Sequence, residues 1–309
     1  MKKVLLATTA LVFTAGYAAA EVTVSGSANF GLQFSDSDAQ SEDTELHYEL
    51  DFGIAGSTTT DGGIEVGASL DFDLDDSDQA AAIDDPEVFV SSGGITLTVG
   101  AVGSAQDTVL GSLSDPGFDG IGIDDTAETF FDTTSQNVQL KGECGAITVA
   151  ATGNIAENDT EAPEDFAVAG NYDGGAFSVG LGFASQEANT VVGTDIEVII
   201  LSGSVTAGGA DISLFFHQAS LDDTLTLAGE DYDDISGFGA SVEYPLGAVS
   251  LVGTVGATDL EDDEVDFGVG FEYDLGGGVA LAGGIGSTDN ALADDDSFAV
   301  ADFGITMDF

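Results

Sequence analysis

The chain carries 57 carboxylates against three bases, and two of those bases, Lys2 and Lys3, sit at its very start. From residue 21 onward the one remaining base is Lys141. Carboxylates in such excess can attract cations, offer hard oxygen ligands to Ca²⁺ or Mg²⁺, or solvate a surface in salt. The run Asp71-Phe72-Asp73-Leu74-Asp75-Asp76-Ser77-Asp78 and the run Glu261-Asp262-Asp263-Glu264 are suited to calcium, but neither has EF-hand spacing. Gly117 to Asp124 is faintly like a calcium nonapeptide repeat; it occurs once, and a β-roll needs several. No cofactor is expected beyond Ca²⁺ at these acidic loops.

Catalytic chemistry finds little support. Cys144 is the single cysteine, so no disulfide forms within the chain. With Gly142 and Gly145 beside it, it reads as a turn residue. His47 and His217 have no nucleophile at a matched spacing and read as polar groups of an interior or an interface. Lys141 reads as the partner of a nearby carboxylate. The chain is not expected to be an enzyme. Nor does it bind nucleic acid, having no basic surface to meet phosphates.

The elements that position these groups show a period of two, the signature of strands with two different faces. Residues 46–54 place Leu46, Tyr48, Leu50, Phe52 and Ile54 on one face and His47, Glu49 and Asp51 on the other. Residues 64–74 oppose Ile64, Val66, Leu70 and Phe72 to Glu65, Asp71 and Asp73, and 265–275 oppose Phe267, Val269 and Phe271 to Asp266 and Glu272. Sixteen such segments fit between residues 22 and 309. Short connections, such as Ser92-Gly93, Gly142 to Cys144, Ala207-Gly208 and Pro245-Leu246, alternate with longer acidic ones at 36–44, 75–85, 103–135, 155–163, 187–193, 221–233, 258–263 and 288–296.

Residues 1–20 read as a cleaved signal peptide: two lysines, the apolar stretch Val4 to Phe13, then Ala18-Ala19-Ala20. After it no run approaches the roughly 20 apolar residues of a spanning helix. An even strand number with alternating turn lengths describes an outer-membrane barrel, with residues 21–309 as its one domain. Lipid then covers the apolar face, and water reaches the carboxylates in lumen and loops. A soluble sandwich also alternates, but sixteen strands exceed an ordinary one.

Several stretches resemble the sixteen-stranded porins of alphaproteobacteria, of the Rhodobacter type. Glu21 to Gly26 is similar to their first strand, Gly56 to Ser69 to their first hairpin, and Tyr273 to Gly278 with Gly283-Gly284-Ile285 to their last. The final aromatic, Phe309, resembles the signal such proteins present to their assembly machinery. The resemblance implies a homotrimer of water-filled barrels in the outer membrane that pass small hydrophilic solutes by diffusion, with the third external loop folded inward as a constriction. The longest connection, 103–135, fits that loop. Its acids, Asp107, Asp115, Asp119, Asp124, Asp125, Glu128 and Asp132, are the expected constriction residues. The opposite wall is expected at Asn29, His47, Glu49, Asp51, Glu65 and Asp71. Relatives place Arg and Lys on that wall; here Asn29, His47, Glu49 and Asp71 stand at the aligned positions, so the pore is lined by one sign of charge and should select cations. The alternatives are a structural or adhesive barrel with no open lumen, and an exported soluble calcium-binding β-protein.

Overall fold

The fold follows from the two-residue period. In a computed structural model, which describes residues 21–37, 42–75, 82–130, 136–156, 164–187, 193–227, 230–260, 265–288 and 297–309, sixteen antiparallel strands close into one barrel. They are β1 (Glu21–Ser35), β2 (Thr44–Thr59), β3 (Glu65–Asp75), β4 (Ala82–Ser92), β5 (Ile95–Val102), β6 (Gln136–Cys144), β7 (Ile147–Gly153), β8 (Phe166–Asp173), β9 (Phe177–Gln186), β10 (Ile196–Ala207), β11 (Ala210–Leu227), β12 (Glu230–Leu246), β13 (Val249–Thr258), β14 (Asp266–Gly276), β15 (Val279–Thr288) and β16 (Phe298–Asp308). β1 pairs with both β2 and β16, which leaves no edge for lipid to meet.

Side chains obey the alternation. Leu46 is 63% exposed and Phe267 55%, because both project from the outside of the sheet. Outward aromatics gather near the short turns: Tyr172 beside Phe177 at a centroid distance of 5.8 Å on β8–β9, with Tyr244 on β12–β13 and Tyr273 on β14–β15. Such a girdle is the mark of a membrane interface. The tight turns use left-handed glycines, as at Gly93-Gly94 (φ 61° and 82°), where a two-residue hairpin needs positive φ at both positions.

Three expectations about boundaries are corrected. Residues 221–227 and 230–233, expected within a loop, are strand. β11 and β12 continue through them past an irregular register at Ser220/Leu225, stitched by Thr224 Oγ1 to Asp233 Oδ1 (2.6 Å) and Thr226 Oγ1 to Asp231 Oδ1 (2.7 Å). Cys144 and Leu246 are the last residues of strands rather than turn residues. Asp71 and Asp73 stand on β3 and not in a calcium loop; residues 76–81 and 261–264 lie outside the described residues.

The described part of the third connection, residues 103–130, runs inside the barrel, as its length suggested, with two short helices, α1 (Ala105–Val109) and α2 (Ile123–Glu128). Its apolar residues Val109, Leu110, Leu113 and Phe130 pack on inward-facing Ala167, Val198, Ile200 and Phe215. The inner face of β8, β10 and β11 is therefore apolar there and covered by the connection, a departure from the expectation of a lumen open to water along all its walls.

Candidate functional site

The inner segment follows the barrel wall and bonds to side chains that alternation turns inward. Ala105 N donates to Thr152 Oγ1 (3.0 Å), Gly111 N to Ser202 Oγ (3.3 Å) and Ser114 N to Ser241 Oγ (2.9 Å). Thr254 Oγ1 donates to Ser114 O, and Thr126 Oγ1 to Asp266 Oδ2. Asp302 holds the tip: its Oδ2 accepts Phe118 N (2.8 Å) and Asp119 N (3.3 Å), and its Oδ1 accepts Gly284 N (2.7 Å). His217 lies fully buried under the segment, Nδ1 2.7 Å from Ala127 O and its ring edge-on to Phe130.

Inward glycines make room for this path. A Cβ on Gly256 would lie 2.6 Å from Ile123 O, and one on Gly284 3.0 Å from Gly117 N. The ring of Phe118 sits over Gly31 and Gly304, which pair across β1 and β16.

The tip brings four of the expected residues together. Asn29 Nδ2 donates to Glu49 Oε2 and to Asp119 Oδ1, both at 2.9 Å. Gln33 Nε2 and His47 Nε2 each lie 3.1 Å from Asp119 Oδ2. Asn29 and His47 thus meet the segment's tip directly, at the wall expected to face the constriction. Asp51 accepts Ser27 Oγ (3.1 Å) and stays with Asp71 and Glu65 on the wall of β2 and β3, away from this cluster. Lys141 pairs with Glu143 at 2.9 Å, three residues from the β6–β7 turn.

The segment's other acids divide. Asp115 folds back on the segment, accepting Gly122 N (2.7 Å) and Ile123 N (3.2 Å). Glu128 Oε1 accepts Leu113 N. Burial, assisted by the charge of Asp124, pushes the Asp115 carboxyl up to about 7. Burial and the charge of Asp125 raise Asp124 to about 6, and burial raises Glu128 to about 8 against the hydrogen bond from Leu113. Asp107 and Asp125 are exposed. Asp132 lies outside the described residues.

Sequence reasoning did not single out Asp302, Asp266, Ser241 or Thr254 as anchors. The signal was present for Asp302. With Phe303, Ile305 and Met307 outward, an aspartate at 302 must face inward, and a buried carboxylate needs donors.

A family model described as a Gram-negative porin matches residues 7–292. The porin of Rhodobacter capsulatus is 28% identical, covering 94% of this chain and all of that protein. The porin of Fuscovulum blasticum is 26% identical with the same coverage. Among solved structures, a variant of the Rh. blastica porin superposes with a TM-score of 0.74 at 21% identity, over 93% of this chain and all of that one. A closed sixteen-stranded barrel, an apolar outside and a connection packed within it agree with these matches: the chain belongs to the Gram-negative porins, channels of the outer membrane.

Proposed function

We propose that this porin passes small hydrophilic solutes by passive diffusion, unchanged, and prefers cations. The observation that carries the reading is the charge around the lumen. Glu49, Asp51, Asp71 and Asp73 stand on the wall of β2 and β3, and Asp107, Asp119 and Asp125 on the segment, while the only base after residue 20 is Lys141, already paired with Glu143. A low-dielectric wall focuses the field of these acids into the water it encloses. Screening acts over about 8 Å at physiological salt, so the preference should survive in a narrow passage and fade in molar salt. Segment 103–135 is the constriction in this reading, and residues 1–20 are the export signal removed before assembly of a homotrimer.

Reversal potential under a salt gradient in planar bilayers tests it. Cation preference is expected at low salt, reduced when Asp51, Asp71 and Asp73 are changed together to Asn. An anion-preferring or unselective channel would overturn the reading and leave the acidity as an adaptation of the surface to salt. A closed structural barrel is the second reading, favoured by the apolar filling inside β8 to β11; absence of any conductance would select it.

A further inference from the structure

We infer that the meeting point of the segment's tip and the barrel wall is a binding site for one divalent transition-metal ion, with His47, Glu49 and Asp119 as its protein ligands. Ligand atoms from these three half-buried residues, the imidazole nitrogen and one oxygen from each carboxylate, all lie within 4.8 Å of one another. Around a tetrahedral ion with bonds of about 2.1 Å, ligand atoms sit about 3.4 Å apart, so a small inward movement of the side chains completes the set. Imidazole with two carboxylates suits Zn²⁺, Mn²⁺, Co²⁺ or Ni²⁺; Ca²⁺ and Mg²⁺ prefer oxygen alone.

The three ligands are held in position from outside. Asp302 fixes the backbone of Phe118 and Asp119, which aims the Asp119 carboxylate at β1 and β2. Asn29 donates to Asp119 Oδ1 and Gln33 to Asp119 Oδ2, and Asn29 donates as well to Glu49 Oε2, so both carboxylates are oriented by neutral amides whose hydrogen bonds leave further lone pairs on the accepting oxygens. The ring of Phe118 lies against His47 at a centroid distance of 5.9 Å. Neighbours that orient ligands in this way are a regular part of metal sites. The cluster also has an electrostatic need. Two carboxylates meet here beside the neutral amides of Asn29 and Gln33, and the single lysine after residue 20 is bound to Glu143. A dication with a neutral imidazole balances their charge. The ion would join segment to wall, on residues 119 and 47–49, and so hold the passage at one width.

The inference rests on the channel reading only for the aqueous path by which the ion enters. Its test therefore uses no membrane. Zn²⁺ is titrated calorimetrically into the detergent-folded full chain, in high salt with a large excess of Mg²⁺ to occupy diffuse carboxylate sites. One Zn²⁺ per chain is expected. His47→Gln and Asp119→Asn should each weaken it by roughly tenfold or more, at least the effect of losing an outer-shell partner, whereas Asp125→Asn should not. Heat-modifiable gel migration shows that each variant is folded. If His47→Gln does not fold, Co²⁺ added to the unaltered chain should still give visible d–d bands that Zn²⁺ removes. Zn²⁺ binding that is lost to Mg²⁺, unchanged in His47→Gln, or without d–d bands on Co²⁺ addition would overturn the site. The tip would then be held without an ion, by Asp302 and by the imidazole and amide hydrogen bonds. A selective channel without Zn²⁺ binding defeats only the metal site, and an unselective one that binds Zn²⁺ defeats only the channel reading.

Discussion

Asp302 is one carboxylate on which three backbone N–H groups converge, two from the segment's tip and one from β15. A hydrogen bond to a charged group contributes about 1.5–3 kcal/mol, so this residue is a strong part of the attachment of the tip, beside the contacts of Asn29, Gln33 and His47 with Asp119. Asp302→Ala should free the tip and leave the barrel closed. We expect a higher single-channel conductance with more current noise and an unchanged heat-modifiable band; conductance equal to that of the parent would show that the tip is held elsewhere. Asp115, Asp124 and Glu128 act in a different way, because burial raises their carboxyls to about 7, 6 and 8. A released segment returns them to ordinary carboxylate values near 4. Between about pH 4 and pH 8 the docked segment binds protons that the released one has lost, so docking weakens as pH rises through that window. Proteolytic cutting within 103–135 should be faster at about pH 8.5 than at about pH 5. Glu128→Gln keeps an acceptor for Leu113 N and should flatten that profile. The share of Asp115, Asp124 and Glu128 in the cation preference should also fade from about pH 8 downward.

At the scale of elements, the inward glycines are seats for the segment. β13 offers a comparison within one strand. Gly256 faces inward, where a Cβ would meet Ile123 O at 2.6 Å; Gly253 faces out, where the nearest atom would be 3.9 Å away. Gly256→Val should weaken docking by about 1–3 kcal/mol through overpacking. It should be seen as faster proteolysis of the segment. Gly253→Val adds apolar surface toward lipid and should leave proteolysis unchanged; equal effects of the two would refute the seating role. The β11–β12 hairpin shows why its acidic stretch looked like a loop. Aspartate disfavours strands in isolation, yet here Asp231, Asp233 and Asp234 each accept from a Thr or Ser hydroxyl across the ladder. Those partners lie on a neighbouring strand, beyond the reach of local propensity.

For the whole molecule, closure depends on the last residue as well as the last strand. Phe309 exchanges two backbone hydrogen bonds with Gly26, both 2.9 Å, and its ring stands edge-on to Phe52 at 5.5 Å. Phe309→Ala keeps the backbone bonds and loses the aromatic pair, worth about 0.5–1.5 kcal/mol beyond its buried area. A lower midpoint of urea unfolding from lipid vesicles is expected, and an unshifted midpoint would mean that the pair contributes nothing to closure. The net charge acts at the same scale. Carboxylates on an ordinary globule would repel across its surface; here lipid takes the apolar face and water the acidic one, so the charge need not oppose folding.

Sequence alone determined the two faces of the strands and their number, and the resemblance to the porins pointed to the inward course of the third connection. The first two are local. A residue's face is set by its i±2 neighbours, and a strand's end by the turn residues beside it. The tertiary structure decided which inward residues meet. Asn29 with Asp119, Phe118 with Asp302 and His217 with Ala127 join positions 90 to 184 residues apart. Their encounter depends on the register of sixteen strands and on the path of one connection through the lumen. Asp115 illustrates the limit. Its place in the connection that the resemblance folds inward marked it as an acid of the passage, and only the folded segment shows it turned back onto Gly122 and Ile123, buried and drawn toward its neutral form. Burial is a property of the packed neighbours on all sides, and the residues that bury a group are seldom the ones beside it in the chain.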